Sequence, residues 1–332
     1  MKYYILAIAT AALLISGCAQ KATVYAIQPA EVDRMASTKK VAVSTFSHDT
    51  VGLSNKIEVE LAGKKVDEKN YFTTISRSDI NKVIEEQRLQ NSGLFDESSS
   101  VKMGRLLGAQ ALISGDISAA SMSDKSFYEK RTKCSDEKCK ETYKYSVRCI
   151  RRDMAIVAQI KIVDIQKGDI IYAETLSKNG AWKHCSDDTD DLPSKAYGLN
   201  MLADEVSRSF VQKLVPYYAT YRVLLLDEPD IEYSDKQEDE LEHALEYIQH
   251  KRYDRAEELL SKLLESTSDK SYVAAYNLAI VKEVQGDLTS ARQLFELADS
   301  LTVKPVEAVD LAILRINSSI SSHRHAQEQM QQ

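Results

Sequence analysis

The chain has 332 residues, of which 43% are hydrophobic and 28% charged, and its formal net charge at pH 7 is −7. This composition is typical of globular domains, and the length is sufficient for two of them. An acidic chain without a basic stripe is repelled by phosphate backbones, which excludes nucleic-acid binding from the expected functions.

The N-terminus has the pattern of a secretion signal. Lys2 is followed by an apolar run over residues 3–15. The run is shorter than the roughly 20 residues that span a bilayer and has the size of the apolar region of a signal peptide. One aliphatic and two small residues, Ile15-Ser16-Gly17, then precede Cys18. This arrangement resembles the lipobox of bacterial lipoproteins, in which the cysteine receives a diacylglycerol and becomes the first mature residue.

The resemblance to lipoproteins implies removal of residues 1–17 and acylation of Cys18 with chains such as palmitate. Two or more acyl chains give stable anchoring at about 0.8 kcal/mol per buried CH₂, so a lipid bilayer is the first expected partner. Ala19 follows the cysteine, and the absence of Asp there goes with transfer to the outer membrane. We therefore predict an outer-membrane protein that faces the periplasm. The alternative is an ordinary signal peptide followed by a coincidental cysteine.

The four remaining cysteines are Cys134, Cys139, Cys149 and Cys185. An even number of cysteines in one region of a secreted chain is typical of a disulfide framework, so two disulfides are predicted. All three pairings remain open on the sequence alone. The alternative is a zinc site formed by the same sulfurs with His184 as a spare ligand, although the C-x4-C spacing is looser than that of most zinc knuckles.

Residues 39–226 have the pattern of an α/β domain. Residues 18–38 are small and polar without a period, and they are expected to form the tether from the lipid. After them, apolar and β-branched runs alternate with helical spacings. The predicted strands are 39–46, 71–75, 109–117, 154–163, 170–176 and 223–226, and the predicted helices are 53–66, one with its N-cap at Ser78, 101–107 and 194–214. This order predicts one mixed sheet with packed helices.

An acidic stretch, 227–240, is expected to link this domain to an all-α domain over 241–322. There the sequence repeats with a period of 35 residues, and the aligned pairs are Ala244 with Ala279, Ala256 with Ala291, and Leu260 with Phe295. The pattern resembles tetratricopeptide repeats, whose unit is about 34 residues. A helix within 304–322 would cap them, and a plain bundle of helical hairpins is the alternative. Such a domain binds protein partners. The polar tail 323–332 is expected to be disordered.

Four segments within 40–216 resemble the CsgG family of outer-membrane lipoproteins, which includes the curli secretion channel. They are Lys40-Val41-Ala42-Val43, Phe72-Thr73-Thr74-Ile75-Ser76-Arg77-Ser78-Asp79, Leu106-Leu107-Gly108-Ala109-Gln110-Ala111-Leu112-Ile113-Ser114-Gly115 and Ile160-Lys161-Ile162-Val163-Asp164. The resemblance implies a CsgG-like α/β fold, assembly into a homo-oligomer, and a role in secretion or surface assembly.

The same resemblance raises the question of a membrane barrel, because two stretches of the curli channel open into barrel hairpins. The matching stretches here, 119–146 and 177–193, carry charges on both faces of any strand. Lys or Arg at the midplane of a membrane costs about 2–4 kcal/mol, so no register is expected to insert. We therefore predict a solvated, disulfide-braced insertion (119–150 and 177–193) in place of a barrel.

The sequence contains no G-x-S-x-G, Walker or H-E-x-x-H motif, so no enzyme activity, cofactor or metal is expected. His48 stands alone in the first strand–helix loop. The cluster of Asp187, Asp188, Asp190 and Asp191 lacks the EF-hand spacing for Ca²⁺, which favours a solvated acidic loop. Two functions remain. One is a non-catalytic component of secretion or surface assembly that recruits partners through its repeats. The other is a lipoprotein that regulates an envelope enzyme such as a peptidoglycan synthase.

Overall fold

The computed structural model describes residues 20–66, 68–75 and 108–331. The predicted signal sequence, Cys18 and the predicted helices at Ser78 and 101–107 lie outside these residues. The described residues fall into two units: an α/β unit from 28–217 and 324–331, and a helical unit from 20–27 and 218–323. None of the described helices is both long enough and apolar enough to cross a membrane.

The elements of the described residues are, in chain order, β1 (Lys21–Gln28), α1 (Asp33–Ala36), β2 (Lys40–Val43), α2 (Leu53–Gly63), β3 (Lys65–Val66), β4 (Lys69–Asn70), β5 (Thr73–Ile75), β6 (Ala111–Cys134), β7 (Thr142–Asp164), β8 (Ile170–Cys185), α3 (Lys195–Gln212), β9 (Tyr217–Leu224), α4 (Asp235–Gln249), α5 (Tyr253–Ser266), α6 (Tyr272–Val284), α7 (Leu288–Leu301) and α8 (Glu307–Gln331).

The α/β unit contains a five-stranded mixed sheet with the order β5-β2-β6-β7-β8. β2 pairs in parallel with β5 and with β6, whereas β7 pairs antiparallel with both β6 and β8. The connections explain the difference, because parallel neighbours need a crossover and antiparallel neighbours can be joined by a tight turn. Helix α2 lies between β2 and β5 in the chain, and a short turn joins β7 to β8. The predicted mixed sheet with packed helices is confirmed.

Helices α2 and α3 pack against each other and against this sheet. Their apolar residues recur at helical spacing, so each helix buries one stripe in the common core. Ser194 caps α3, because its Oγ accepts a hydrogen bond from Tyr197 N at 3.2 Å. The largest contributors to this core from the helices and the sheet are Leu53, Ile57, Leu61, Phe210, Ile113, Met154, Ile156 and Ile160.

Strands β6 and β7 are much longer than predicted. The predicted strands ended at residue 117 and restarted at residue 154, whereas the ladder continues past a bulge between Ile117 and Ala119 until Cys134 faces Thr142. Beyond the core, residues 123–134, 142–153 and 179–185 form what we call the ribbon. Most of its side chains are exposed or half-buried on both faces. Backbone hydrogen bonds between the strands therefore stabilise the ribbon, and its sequence lacks the alternation of apolar and polar residues that predicts a strand. The insertion predicted as a lobe is this ribbon.

The N-terminal segment differs from the tether predicted over 18–38. β1 pairs with β9 in a two-stranded sheet, and Ala22, Val24 and Ala26 on one side of β1 are buried. Helix α1 follows and buries Met35 completely. The period of two was missed because small alanines give a weak apolar signal. From Lys21 onwards the predicted tether is therefore a folded part of the protein.

The helical unit contains two helical hairpins, α4–α5 and α6–α7, followed by α8. Every residue aligned by the predicted repeat is fully buried: Ala244, Ala279, Ala256, Ala291, Leu260 and Phe295 are each 0% exposed. Alanines at these positions allow the helices to approach closely, and the larger residues fill the next groove. An all-helical region after the α/β unit is confirmed, and its assignment to tetratricopeptide repeats stays a prediction.

Both ends of the helical region differ from the predicted boundaries. α4 begins at Asp235, inside the predicted linker 227–240, and Gln237 Oε1 accepts a hydrogen bond from Ser234 N at 2.9 Å in a capping-box arrangement. The predicted disordered tail 323–332 belongs to α8 as far as Gln331. There Gln329 is 4% exposed and holds both backbone groups of Ala30, at 2.7 Å and 3.1 Å. This contact between distant parts of the chain stabilises the polar end of α8, which the local sequence does not predict to be helical.

Candidate functional site

The four cysteines predicted to form disulfides are paired as Cys134–Cys139 and Cys149–Cys185. The first bridge closes the loop at the end of the ribbon, and the second joins residues that face each other on β7 and β8. Cys149 also faces Phe127 on β6, seven positions from Cys134, which is about 23 Å along a strand. The four sulfurs therefore do not meet in one tetrahedral zinc site, and His184 instead contacts the backbone oxygen of Asp190.

An ion cluster lies beside the second disulfide. Arg131 Nη1 is 2.7 Å from a carboxylate oxygen of Asp187 and 2.7 Å from one of Asp188. The hydrogen bond from Arg131 is the main cause that holds the pKa of Asp188 below its usual range. Tyr145 donates its hydroxyl to the second oxygen of Asp187. These two carboxylates, predicted to lie in a solvated loop, are thus engaged by the protein's own donors and brace the ribbon.

The opposite face of the ribbon is basic. Tyr128 faces Arg148 across the β6–β7 ladder, and on the same side Lys130 faces Ser146 and Thr132 faces Lys144. Tyr128 is 73% exposed, and Lys130, Lys144 and Arg148 are exposed and form no ion pair with a carboxylate of the described residues. We call Tyr128, Lys130, Lys144 and Arg148 the basic ribbon face. It is a surface on which an acidic partner would find unpaired positive charge.

Helix α6, the first helix of the second predicted repeat, is covered by the chain itself. Asn277 is 0% exposed; its Oδ1 accepts from Leu226 N at 3.1 Å and its Nδ2 donates to Leu226 O at 2.6 Å. Tyr276 donates its hydroxyl to Leu224 O at 2.9 Å. Repeat arrays bind their partners on extended concave surfaces. The face of α6 that carries Tyr276 and Asn277 is covered by residues 224–226, which the sequence did not reveal.

His48 is paired, contrary to its prediction as a lone loop residue. Its Nδ1 lies 2.7 Å from Asp116 Oδ1, at the start of the bulge in β6. Among the described residues no hydroxyl or thiol hydrogen-bonds the imidazole, so the pair lacks the nucleophile of a catalytic triad. Two open grooves of about 560 and 920 Å³ adjoin at Thr50 and Ala120 beside it. Both are open to the surface; the smaller is lined by the loop of His48 and by β6, and the larger also by the start of α3.

Two family models match separate parts of the chain. Residues 30–186 match the family described as curli production assembly/transport component CsgG. This span is CsgG-like. Residues 242–328, which contain most of the helical unit, match a domain of unknown function, DUF6340, and this match does not identify tetratricopeptide repeats. No curated protein matches the chain.

Solved structures similar to the chain include three bacterial proteins. The PelC dodecamer from Paraburkholderia phytofirmans is 12% identical, covers 59% of this chain and 97% of its own, and gives a TM-score of 0.28. The LpoB C-terminal domain from Salmonella enterica is 14% identical, with coverages of 44% and 94% and a TM-score of 0.26. Lipoprotein GNA1162 from Neisseria meningitidis is 13% identical, with coverages of 52% and 98% and a TM-score of 0.26. The similarity of the α/β unit to the CsgG family therefore rests on the family match and on the observed mixed sheet.

Proposed function

We propose that this protein is a non-catalytic lipoprotein of the cell envelope that acts in secretion or surface assembly through protein–protein interactions. It is anchored through acyl chains on Cys18 in the outer membrane and faces the periplasm. The observation that carries the proposal is the CsgG match over residues 30–186, together with the mixed sheet and packed helices in the same span. The lipobox pattern that precedes β1 supports the anchor.

The structure changes where partners are expected to bind. The repeats were predicted to recruit them, but α6 is covered by the segment around Leu226. The basic ribbon face offers exposed side chains on a strand ladder that the second disulfide and the Arg131 cluster brace. A rigid surface loses little conformational entropy on binding, which favours it as a recognition surface. We therefore assign the main partner contact to the ribbon and expect the partner to be acidic.

The anchor is tested by Cys18→Ser in the full-length chain. We expect the variant to lose all labelling with radioactive palmitate and to accumulate as a soluble or an unprocessed form, because the acyl chains are its proposed attachment. Cys134→Ser is the matched control, since it removes a thiol that takes part in a disulfide and should keep full labelling. Continued labelling of Cys18→Ser would contradict the lipobox interpretation.

The assembly role is tested with the acylated chain in detergent. The CsgG resemblance implies a homo-oligomer, so we expect particles of several subunits by light scattering and rings by electron microscopy. A stable monomer over a wide range of protein concentration would contradict this role. In that case the regulation of an envelope enzyme, the second function predicted from the sequence, would become the better proposal.

A further inference from the structure

The two-stranded sheet of β1 and β9 buries one side of β1 and Val223 near the end of β9, whereas Tyr217 and Tyr221, on the same side of β9 as Val223, are 39% and 38% exposed. Its buried side packs in the core of the helical unit through Ala22, Val24, Val223 and Leu225. Because side chains alternate along a strand, the residues at the alternate positions of the two strands point away from that core. These residues, which we call the outer sheet face, are Lys21, Thr23, Tyr25, Tyr218, Thr220, Arg222 and Leu224.

The outer sheet face contains no carboxylate, in a chain with 50 Asp and Glu residues and a net charge of −7. Tyr25 is 56% exposed, Tyr218 is 60% exposed and Leu224 is 39% exposed. Lys21 and Arg222 form no ion pair with a carboxylate of the described residues. Tyrosines with Lys or Arg are the side chains that membrane–water interfaces favour, and the basic groups attract anionic head groups.

The outer sheet face begins three residues after Cys18, the proposed site of acylation. Gln20 O accepts a hydrogen bond from Leu225 N at 2.9 Å, so the end of β9 lies beside the beginning of β1. Only Ala19 lies between Gln20 and Cys18, and these two residue steps span at most about 7 Å. A head-group layer is about 5–7 Å thick. Acyl chains on Cys18 would therefore hold the beginning of β1 at the level of the head groups.

We propose that the outer sheet face is a membrane-docking surface, in which Tyr25, Tyr218 and Leu224 enter the lipid interface while Lys21 and Arg222 contact anionic head groups of the bilayer that holds the acyl chains. This inference rests on the proposed acylation of Cys18. It gives the protein a second contact with the membrane and fixes the orientation of the β1–β9 sheet on it. The protein thus contacts the bilayer in two ways, through the acyl chains on Cys18 and through the outer sheet face.

The test uses the acylated full-length chain in vesicles of phosphatidylethanolamine and phosphatidylglycerol whose acyl chains are brominated. Tyr218→Trp places an indole on the outer sheet face, and Tyr128→Trp places one on the basic ribbon face as the matched control. The wild type measures the background from Trp182. We expect bromine to quench the added emission of Tyr218→Trp, with a blue shift, and to leave that of Tyr128→Trp unchanged.

Each outcome decides between the two proposals. Protein that carries palmitate and floats with the vesicles but shows no quenching of Tyr218→Trp would overturn the docking surface and leave the anchor intact. Quenching of Tyr128→Trp alone would place the membrane on the ribbon and would also overturn it. Absence of palmitate on the wild type would overturn the anchor, and the docking surface with it.

The role of the charges is measured without the acyl chains. In the mature chain with Cys18→Ser, Arg222→Glu should weaken binding to vesicles containing phosphatidylglycerol by at least about fivefold, since each basic residue near an anionic surface contributes about a factor of five. Arg151→Glu, an exposed reversal on the ribbon, is the control and should bind as Cys18→Ser alone. Equal binding to vesicles with and without phosphatidylglycerol would contradict contact with anionic head groups.

Discussion

The contact between Asn277 and Leu226 yields the sharpest prediction for the helical unit. Asn277 is fully buried on α6 and satisfies both the N–H and the C=O of Leu226. One amide side chain therefore holds both backbone groups of one residue, much as a neighbouring strand would. Asn277→Ala removes both hydrogen bonds and leaves the N–H and C=O of the half-buried Leu226 without this partner.

The expected cost follows from these two groups. A buried donor or acceptor that loses its partner costs about 1–3 kcal/mol. Because Leu226 is half-buried, we take about 1–2 kcal/mol for each of its two groups, so together they should lower the free energy of local opening by roughly 2–4 kcal/mol. Since every 1.4 kcal/mol is a factor of ten, exchange of the Leu226 amide should accelerate by roughly 30- to 1000-fold. Asn277→Leu keeps the branched arrangement of side-chain heavy atoms and has no hydrogen-bonding group, so it should also expose both backbone groups of Leu226 to exchange.

Hydrogen exchange measured by mass spectrometry provides the assay, because it reports local opening free energies segment by segment. The peptide that covers residues 222–230 should lose protection, and peptides from the five-stranded sheet should keep it. Asn200→Ala, an exposed asparagine on α3, is the matched control and should change stability by less than about 0.5 kcal/mol. Unchanged protection of residues 222–230 in both Asn277 variants would refute the argument that this contact holds the segment around Leu226 on α6.

Two further predictions concern ion pairs. The side chain of Glu283 is only 1% exposed and accepts two hydrogen bonds from Arg315, at 3.0 and 2.8 Å. In a urea titration, Arg315→Ala should therefore destabilise the helical unit by about 3–5 kcal/mol, because a buried charge loses its partner. Arg292→Ala, which removes one member of an exposed pair, is the control and should cost less than about 1 kcal/mol. Arg131→Gln should raise the pKa of Asp188, which Arg131 holds low, as measured by carboxyl NMR. The depressed pKa stabilises the ribbon above the unfolded pKa, near 4, and this stabilisation is lost as the pH falls through the folded pKa. An Asp188 titration that does not respond to Arg131→Gln would contradict that assignment.

The core of the α/β unit could be predicted because its apolar residues recur at the period of the helix or strand that they form. Leu53, Ile57 and Leu61 recur at helical spacing, and all three are 0% exposed in α2. The parallel order of β5, β2 and β6 was beyond single-strand patterns, since pairing depends on which runs meet in space. The sequence predicted one mixed sheet with packed helices, and the order β5-β2-β6-β7-β8 became known only from the structure.

The ribbon could not be predicted as strands for a physical reason. Its residues are solvated on both faces, so neither face selects apolar side chains and no period of two develops. Lys130 and Arg131 are neighbours in sequence yet lie on opposite faces, one on the basic ribbon face and one in the ion cluster. The pairing of Cys149 with Cys185 was open for the same reason, because it depends on the β7–β8 register that charged strands do not reveal.

The acidic segment after β9 is not a boundary between independent parts. A two-stranded sheet is at best marginally stable alone in water, so β1 and β9 need the helical core that buries Val24 and Val223. Conversely, the segment that follows β9 satisfies the fully buried side chain of Asn277 on α6, because Leu226 both donates a hydrogen bond to its Oδ1 and accepts one from its Nδ2. The N-terminal strand and the helical core thus stabilise each other. The proposed acylation of Cys18 would therefore join the membrane to the helical unit through β1, which belongs to that unit.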